Sequence, residues 1–364
     1  VADYLFLPYL AHGHVNPMMP VAAELARRGN RVTVAVSERF TSQVTAAGAT
    51  ALPIPGHEVR VPAGYSLSEL GERGRVLLAR WGAWAAAIRT VLRYLRAHRS
   101  DAVLADVRLP WAGTLVGWTR SALVWLSTTH LGGSRRRPVL VNMPPTLEST
   151  RRSPDRARFI TPLVRSAAVA GSAGGERLDA RPLVLVSPGT VFARSPDFFR
   201  RVAREFANSP WQVLMATGAT PVSDIGALPP NVLARDWLPQ RALLRHTAVL
   251  VGHGGMNSVQ EALLAGVPMV LCPRSREQKW TTHRLVDLGV AVRANDAVRL
   301  QVEQVADDER MRARCQAMRA QLLAEPGAAL AADVLTEVAR RDVPNRSRRA
   351  TMNDSVRGDN RKQR

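Results

Sequence analysis

The 364 residues, 46% of them apolar, suffice for two buried cores of roughly 150 to 180 residues each and are too many for one ordinary core. A formal net charge of +20 would suit nucleic acid or an anionic membrane, but all but two of the 50 basic residues are scattered arginines and aromatics make up 5%; the interleaved basic and stacking residues of a single-strand binder are missing, which sets specific nucleic-acid recognition aside. No uncharged apolar run reaches the roughly eighteen residues of a spanning helix, and Cys272 and Cys315 have neither metal-ligand spacing nor disulfide-scaffold density, so both read as reduced and structural. In chain order, residues 4–10 form a short apolar run that reads as a buried strand. No basic region precedes it, so it does not resemble a secretory signal, and the expected compartment is the cytoplasm. A Gly/His/Asn/Pro loop, AHGHVNP, follows. Apolar spacing then predicts a helix over 17–28 capped by Gly29, a strand over 31–37 and a helix over 40–49. Residues 102–107 and 122–127 read as later strands of the same sheet. This alternation is the pattern of a parallel sheet with helices on both faces. A Gly/Ser-rich, charged stretch at 171–182 reads as a linker. Alternation restarts beyond it, with strands at 183–189, 211–218, 232–239, 248–255 and 268–273 and helices at 198–207 and from Asn257. The chain thus divides into an α/β unit over 1–170, the linker, a second doubly wound unit over 183–340, and a charged tail over 341–364 for which disorder is expected.

In a doubly wound sheet, ligands bind beyond the carboxyl ends of the strands. Three segments rich in Gly, His or Ser fall there: AHGHVNP in the first unit, SPGT and GHGGMNS in the second. Gly254 and Gly255 let the main chain approach a ligand closely. Asn257 and Ser258 are N-cap types, so the next helix is expected to begin there with its free N–H groups facing the loop, a setting suited to phosphate. His253 adds a hydrogen-bond donor at the same place. The loop lacks the lysine of a nucleoside-triphosphate motif and the spaced glycines of a dinucleotide fingerprint, which disfavours ATP hydrolysis and hydride transfer. Upstream, Trp237 offers a flat face for a base and Gln240 an amide for its edge. Glu261, one turn beyond Asn257, is placed for ribose hydroxyls; Glu277 and Gln278, beyond the next strand, suit sugar hydroxyls. Each residue also has a plainer reading, as helix cap, turn or core. The ordered set describes a nucleotide-sugar site.

The stretch WLPQ…GHGGMNSVQEALLAGVP…P…EQ, residues 237–278, resembles the donor signature of the nucleotide-sugar-dependent glycosyltransferases of the two-Rossmann-domain (GT-B) type. It is most similar to the bacterial macrolide and antibiotic enzymes, relatives of plant natural-product and animal glucuronosyl transferases. The resemblance runs from Tyr4 to about Arg293 and implies an α/β fold of two doubly wound Rossmann-like domains facing across a cleft, acceptor domain first and donor domain second. By resemblance His14 is the general base that takes the proton from an acceptor hydroxyl, and Asp106 the carboxylate that holds its tautomer. The donor set it implies is Ser187, Gly189 and Thr190 in a second diphosphate-contacting turn, with Trp237, Leu238, Gln240, His253, Gly255, Asn257, Ser258, Glu261, Glu277 and Gln278. No metal and no resident cofactor are implied; the nucleoside-diphosphate sugar, uracil- or thymine-based, is a co-substrate. The implied reaction is a single displacement with inversion onto a small hydrophobic acceptor.

Two segments depart from the family pattern. Near 133–138 the chain lacks a longer helical stretch of the acceptor domain, and near 294–301 a strand-to-helix connection is short. A non-catalytic relative that binds nucleotide or helps a partner enzyme, and a transferase acting on a lipid-linked acceptor at a membrane surface, therefore stand as alternatives. Retention of His14, Asp106, Glu277 and Gln278 together favours the enzyme. Trp81, Trp84, Trp111, Trp118 and Trp125 read as core or acceptor lining. Hinge motion is expected at 171–182 and near a crossing helix at about 326–340.

Overall fold

The computed structural model describes residues 1–56, 70–119, 121–130, 137–148, 157–163, 178–189 and 194–341, with side chains in the long helix from 81 onward. The first sheet is built from β1 (Asp3–Leu7), β2 (Arg31–Val36), β3 (Thr50–Pro53), β4 (Ala102–Asp106), β5 (Ala122–Ser127), β6 (Val139–Val141) and β7 (Ala157–Phe159), joined in order β3-β2-β1-β4-β5-β6-β7. Around it lie α1 (His12–Arg27), α2 (Thr41–Thr45), α3 (Leu70–Ala97) and α4 (Pro110–Gly117). The second sheet contains β8 (Leu183–Ser187), β9 (Gln212–Ala216), β10 (Val232–Arg235), β11 (Thr247–Gly252), β12 (Met269–Leu271) and β13 (Ala291–Arg293), in order β10-β9-β8-β11-β12-β13. Its helices are α5 (Pro196–Phe206), α6 (Gln240–Leu243), α7 (Met256–Ala265), α8 (Arg276–Asp287), α9 (Val298–Asp307) and α10 (Glu309–Ala324).

Every strand pairing is parallel. A parallel sheet is covered on both faces, so its central strands read as continuous apolar runs: β4, β5 and β8 are buried throughout. The helices read with the other period. In α5 the buried set is Phe198, Phe199, Val202, Ala203 and Phe206, one stripe facing the sheet. The chain thus forms two parallel-sheet α/β domains.

Several elements differ from expectation. The loop expected at AHGHVNP is the opening of α1, which begins at His12 rather than 17, because the Ala11 carbonyl already accepts from the His14 and Val15 N–H groups. The helix α7 begins at Met256 with Gly255 as its N-cap, so Asn257 and Ser258 lie inside the first turn rather than capping it. The long α3 and the short β3, β6 and β7 carry no clear sequence signal. Residues 171–177 of the expected linker, the segment 131–136 and the tail beyond 341 lie outside the described residues. The second contraction is a short connection from β13 to α9, closed by Asn295 Oδ1 accepting from the Ala297 N–H and Gln301 Oε1 from the Asn295 N–H.

The last helix, α11 (327–341), returns to the first domain. Arg28 pairs with Asp333, and Tyr4 Oη donates to Thr336 Oγ1 at 3.4 Å. A second crossing contact is buried: Gln260 of α7 donates from Nε2 to the Asn142 carbonyl and accepts from Thr161 Oγ1, both at 2.9 Å.

Candidate active site

The carboxyl ends of β1, β4 and β5 converge on one histidine. Helix α1 starts directly after β1, which sets His14 in its first turn. Asp106 is the last residue of β4, the strand paired with β1, and its side chain is fully buried. Its Oδ2 lies 2.7 Å from His14 Nδ1, and its Oδ1 accepts from the Arg108 N–H at 2.8 Å. Thr128, just past β5, places Oγ1 3.2 Å from the same imidazole nitrogen. An ionised carboxylate only accepts, so Nδ1 carries a proton, and in the neutral ring it is Nε2 that keeps the lone pair. His12 takes a different course. Its ring packs edge-on against Phe40 at 5.0 Å, and burial, aided by Arg39, lowers its pKa.

Proline ties this histidine's helix to the other domain. Pro17 has no N–H to bond the carbonyl four residues back, so the Gly13 oxygen is not consumed within α1. Asn257 Nδ2 donates to it at 3.0 Å. The structure thus gives Asn257 a domain-bridging contact beside its expected donor role; the signal was a proline four residues after a glycine.

On the donor side, His253 follows β11 and is wedged between two glycines. A Cβ on Gly255 would stand 2.3 Å from His253 Nε2, and one on Gly189, whose φ is +93°, would stand 2.8 Å from the same ring. A Cβ at either position would force the ring to move, and at Gly189 it would also strain the main chain. Ser187 ends β8 beside them; Thr190 lies outside the described residues. Because the N-cap Gly255 has no side chain, no side chain caps the first turn of α7. The N–H groups of that turn, including those of Asn257 and Ser258, lack partners within the helix, the setting in which a helix start can take an anion. Burial pushes the His253 pKa down to about 4, with Arg194 adding to the effect and the Ser187 main chain and Glu277 opposing it. At pH 7 the ring is a neutral donor. In the unfolded chain it titrates near the ordinary 6.5 and binds its proton more readily, so its contribution to stability is full above pH 6.5 and is lost as pH falls through 4. The expected loss is roughly 3 kcal/mol. Urea midpoints at pH 7 and 4.5 measure it, and His253→Ala should show the smaller fall between the two.

The residues expected at the nucleoside end differ in exposure. Trp237 is 67% exposed, so its indole face is free for a base, whereas the Leu238 side chain is buried in the core and leaves only its main chain for contact. Gln240 Nε2 donates to Glu261 Oε2 at 2.7 Å. Burial raises the Glu261 pKa against the opposing effect of Gln240 and Arg241. At the sugar end, Thr129 Oγ1 donates to Glu277 Oε1 across the domains at 2.6 Å. Thr128 and Thr129, adjacent in the chain, thus contact the His14 imidazole and the Glu277 carboxylate respectively. Gln278 differs from expectation: its Oε1 accepts from the Arg274 and Ser275 N–H groups, and the Ser275 hydroxyl accepts from the Gln278 N–H. That is a capping box, and it commits the amide oxygen to starting α8.

Residues 201–338 match the family described as Erythromycin biosynthesis protein CIII-like, C-terminal domain. Demethyllactenocin mycarosyltransferase of Streptomyces fradiae is 30% identical, with 92% of this chain and 86% of that protein covered. The chain belongs to the antibiotic-type glycosyltransferases. Oleandomycin glycosyltransferase of Streptomyces antibioticus is 28% identical over 89% of this chain and 88% of its own length. The crystal structure of the calicheamicin glycosyltransferase superposes with a TM-score of 0.72 at 26% identity, covering 94% of this chain and 99% of that one. The two-sheet architecture is accordingly that of a GT-B glycosyltransferase.

In this glycosyltransferase a small, mostly apolar pocket lies beside the β1 end, lined by Leu7, Pro8, Ala35, Ile54, Trp84 and Trp111 among others. Its lining comes from five separate stretches of chain, so no local motif announces it. Of the remaining tryptophans, Trp125 is core, while Trp81 and Trp118 are exposed. Among the described residues no group of His, Cys, Asp or Glu could hold a metal ion, and no helix is long and apolar enough to cross a membrane.

Proposed function

We propose that this glycosyltransferase moves a sugar from a UDP- or dTDP-sugar to a hydroxyl of a small, largely hydrophobic natural product such as a macrolide or another polyketide, with inversion at the anomeric carbon. The observation that supports it is that the adjacent Thr128 and Thr129 contact His14 of the first domain and Glu277 of the second, the residues proposed as base and sugar-binding carboxylate. His14 Nε2 accepts the acceptor's proton as that oxygen attacks the anomeric carbon, and the bond to the diphosphate breaks on the opposite face. Asp106 stabilises the imidazolium that results. The leaving diphosphate is received by the open first turn of α7 and by neutral His253. The small apolar hollow at Leu7, Trp84 and Trp111, at the end of the strand that leads to His14, offers apolar surface to the acceptor. Both the first domain's base and the second domain's anion site are needed, and α11 and Gln260 hold the domains together.

The test is to incubate the protein with α-linked UDP- and dTDP-sugars and a panel of macrolide aglycones, following diphosphate release and the anomeric configuration of the product by NMR. The expected product is a β-glycoside. An α-linked product would overturn the single displacement, and hydrolysis without transfer to any aglycone would overturn the acceptor class.

A further inference from the structure

The proposed leaving group carries more than one negative charge, while the residues so far assigned to it supply no full positive one. His253 is neutral at pH 7, and the end of α7 is worth about half a charge. Arg194 stands on the connection between β8 and α5. Its Nη2 donates to the Cys272 carbonyl, its guanidinium lies 4.7 Å from the centre of the Phe198 ring, and its own carbonyl accepts from Thr220 Oγ1 at 2.6 Å. Cys272 follows β12 and bonds the Gly252 carbonyl through its N–H at 2.7 Å, directly before His253. Since the strand order is β8-β11-β12, the Arg194 side chain is rooted beyond β8 and passes the end of β11 to reach the end of β12. The order reverses between β8 and β11, where β8 leads outward to β9 and β11 to β12; crevices at such a point hold ligands.

The charge of Arg194 is costly where it stands. Burial lowers its pKa, and Arg274 and Arg201 lower it further, with Cys272 opposing. Among the described residues no carboxylate lies within ion-pair distance of it, and its Nε is buried without an acceptor. What this setting lacks is an anion. The position along the sheet also says which phosphate. Trp237 follows β10 at one side, and Glu277 follows β12 toward the other, so a nucleotide sugar laid from indole to carboxylate crosses β9, β8 and β11 in turn. Arg194 reaches the β12 side, nearer the sugar than the base.

We propose that Arg194 is a further donor-binding residue whose guanidinium meets the sugar-linked phosphate of the diphosphate and neutralises it as it leaves. The proposal rests on the donor-site reading above. Arg194→Met keeps an unbranched apolar stem but removes the charge and the guanidinium over Phe198; Arg194→Lys restores a charge without the planar fork. Wild type and both variants are titrated calorimetrically with UMP and UDP, and with the thymidine pair, and their melting temperatures are recorded. The methionine variant is expected to lose diphosphate affinity by about tenfold or more and monophosphate affinity by less than about twofold, with lysine recovering part of the loss. Equal losses for mono- and diphosphate would make Arg194 a strut for the end of β12 and overturn the proposal, most plainly if melting falls with them. Unchanged affinities in a methionine variant of a wild type that binds diphosphate would overturn it as well. A wild type that binds neither nucleotide is a distinct result and overturns the donor site itself.

Discussion

His14→Ala should lower kcat by about 10²- to 10⁴-fold, the ordinary worth of a positioned general base, while leaving nucleotide affinity within about twofold of wild type. The separation follows from geometry: His14 lies in the first domain against Asp106 and Thr128, and the anion-binding N–H groups lie in the second. Asp106→Asn should cost a large part of the same factor. An amide can turn its NH2 toward Nδ1, which then must accept; the proton moves to Nε2, and the nitrogen facing the acceptor loses its lone pair. Because Asp106 is fully buried and also holds the Arg108 N–H, the asparagine variant needs a melting curve beside its kinetics. Initial rates at saturating donor, together with calorimetric affinities for UDP and dTDP, check both substitutions. Wild-type turnover in His14→Ala would remove the base from this position.

Gly255→Ala should weaken nucleotide binding by about a hundredfold or more, a larger loss than the roughly tenfold expected of His253→Ala. The added Cβ would stand 2.3 Å from His253 Nε2 of a largely buried ring that Gly189 also approaches closely. The ring and the N-cap cannot both keep their places, so the imidazole donor and the first turn of α7 are disturbed together. Removing the ring removes the conflict. The double variant Gly255→Ala, His253→Ala should therefore bind like His253→Ala alone, a strongly non-additive pair. Additive losses would mean that Gly255 acts through the main chain and not through the imidazole.

The chemistry was legible where it sits on contiguous chain. GHGGMNS showed its glycines and histidine, the 14 and 106 pair followed from resemblance, and the apolar runs marked most strands. Other features were written in the sequence but outweighed. Ser275 and Gln278 have the spacing of a capping box, and the local hydrogen bonds of that box claim the Gln278 oxygen that resemblance assigns to sugar. The Gly, His, Asn and Pro of AHGHVNP argued for a loop, yet α1 absorbs that stretch, and Asn257 satisfies the carbonyl that Pro17 leaves free. What distance along the chain conceals was not legible: Thr129 reaching Glu277, Arg194 reaching the end of β12, and a pocket assembled from Leu7, Ile54, Trp84 and Trp111. Strands as short as β6 and β7 carry too few residues for a period to register and are held by their neighbours in the sheet.

The most direct measurement is calorimetric titration of the wild-type protein with UDP and dTDP at low and at high salt. Saturable one-to-one binding of either nucleotide that largely survives added salt is the expected result, since the site combines an indole face, buried hydrogen-bond donors and a helix end with its charge. Failure to bind either, with salt-sensitive binding of any polyanion in its place, would contradict a built nucleotide site and leave the arginine-rich surface as the only attraction.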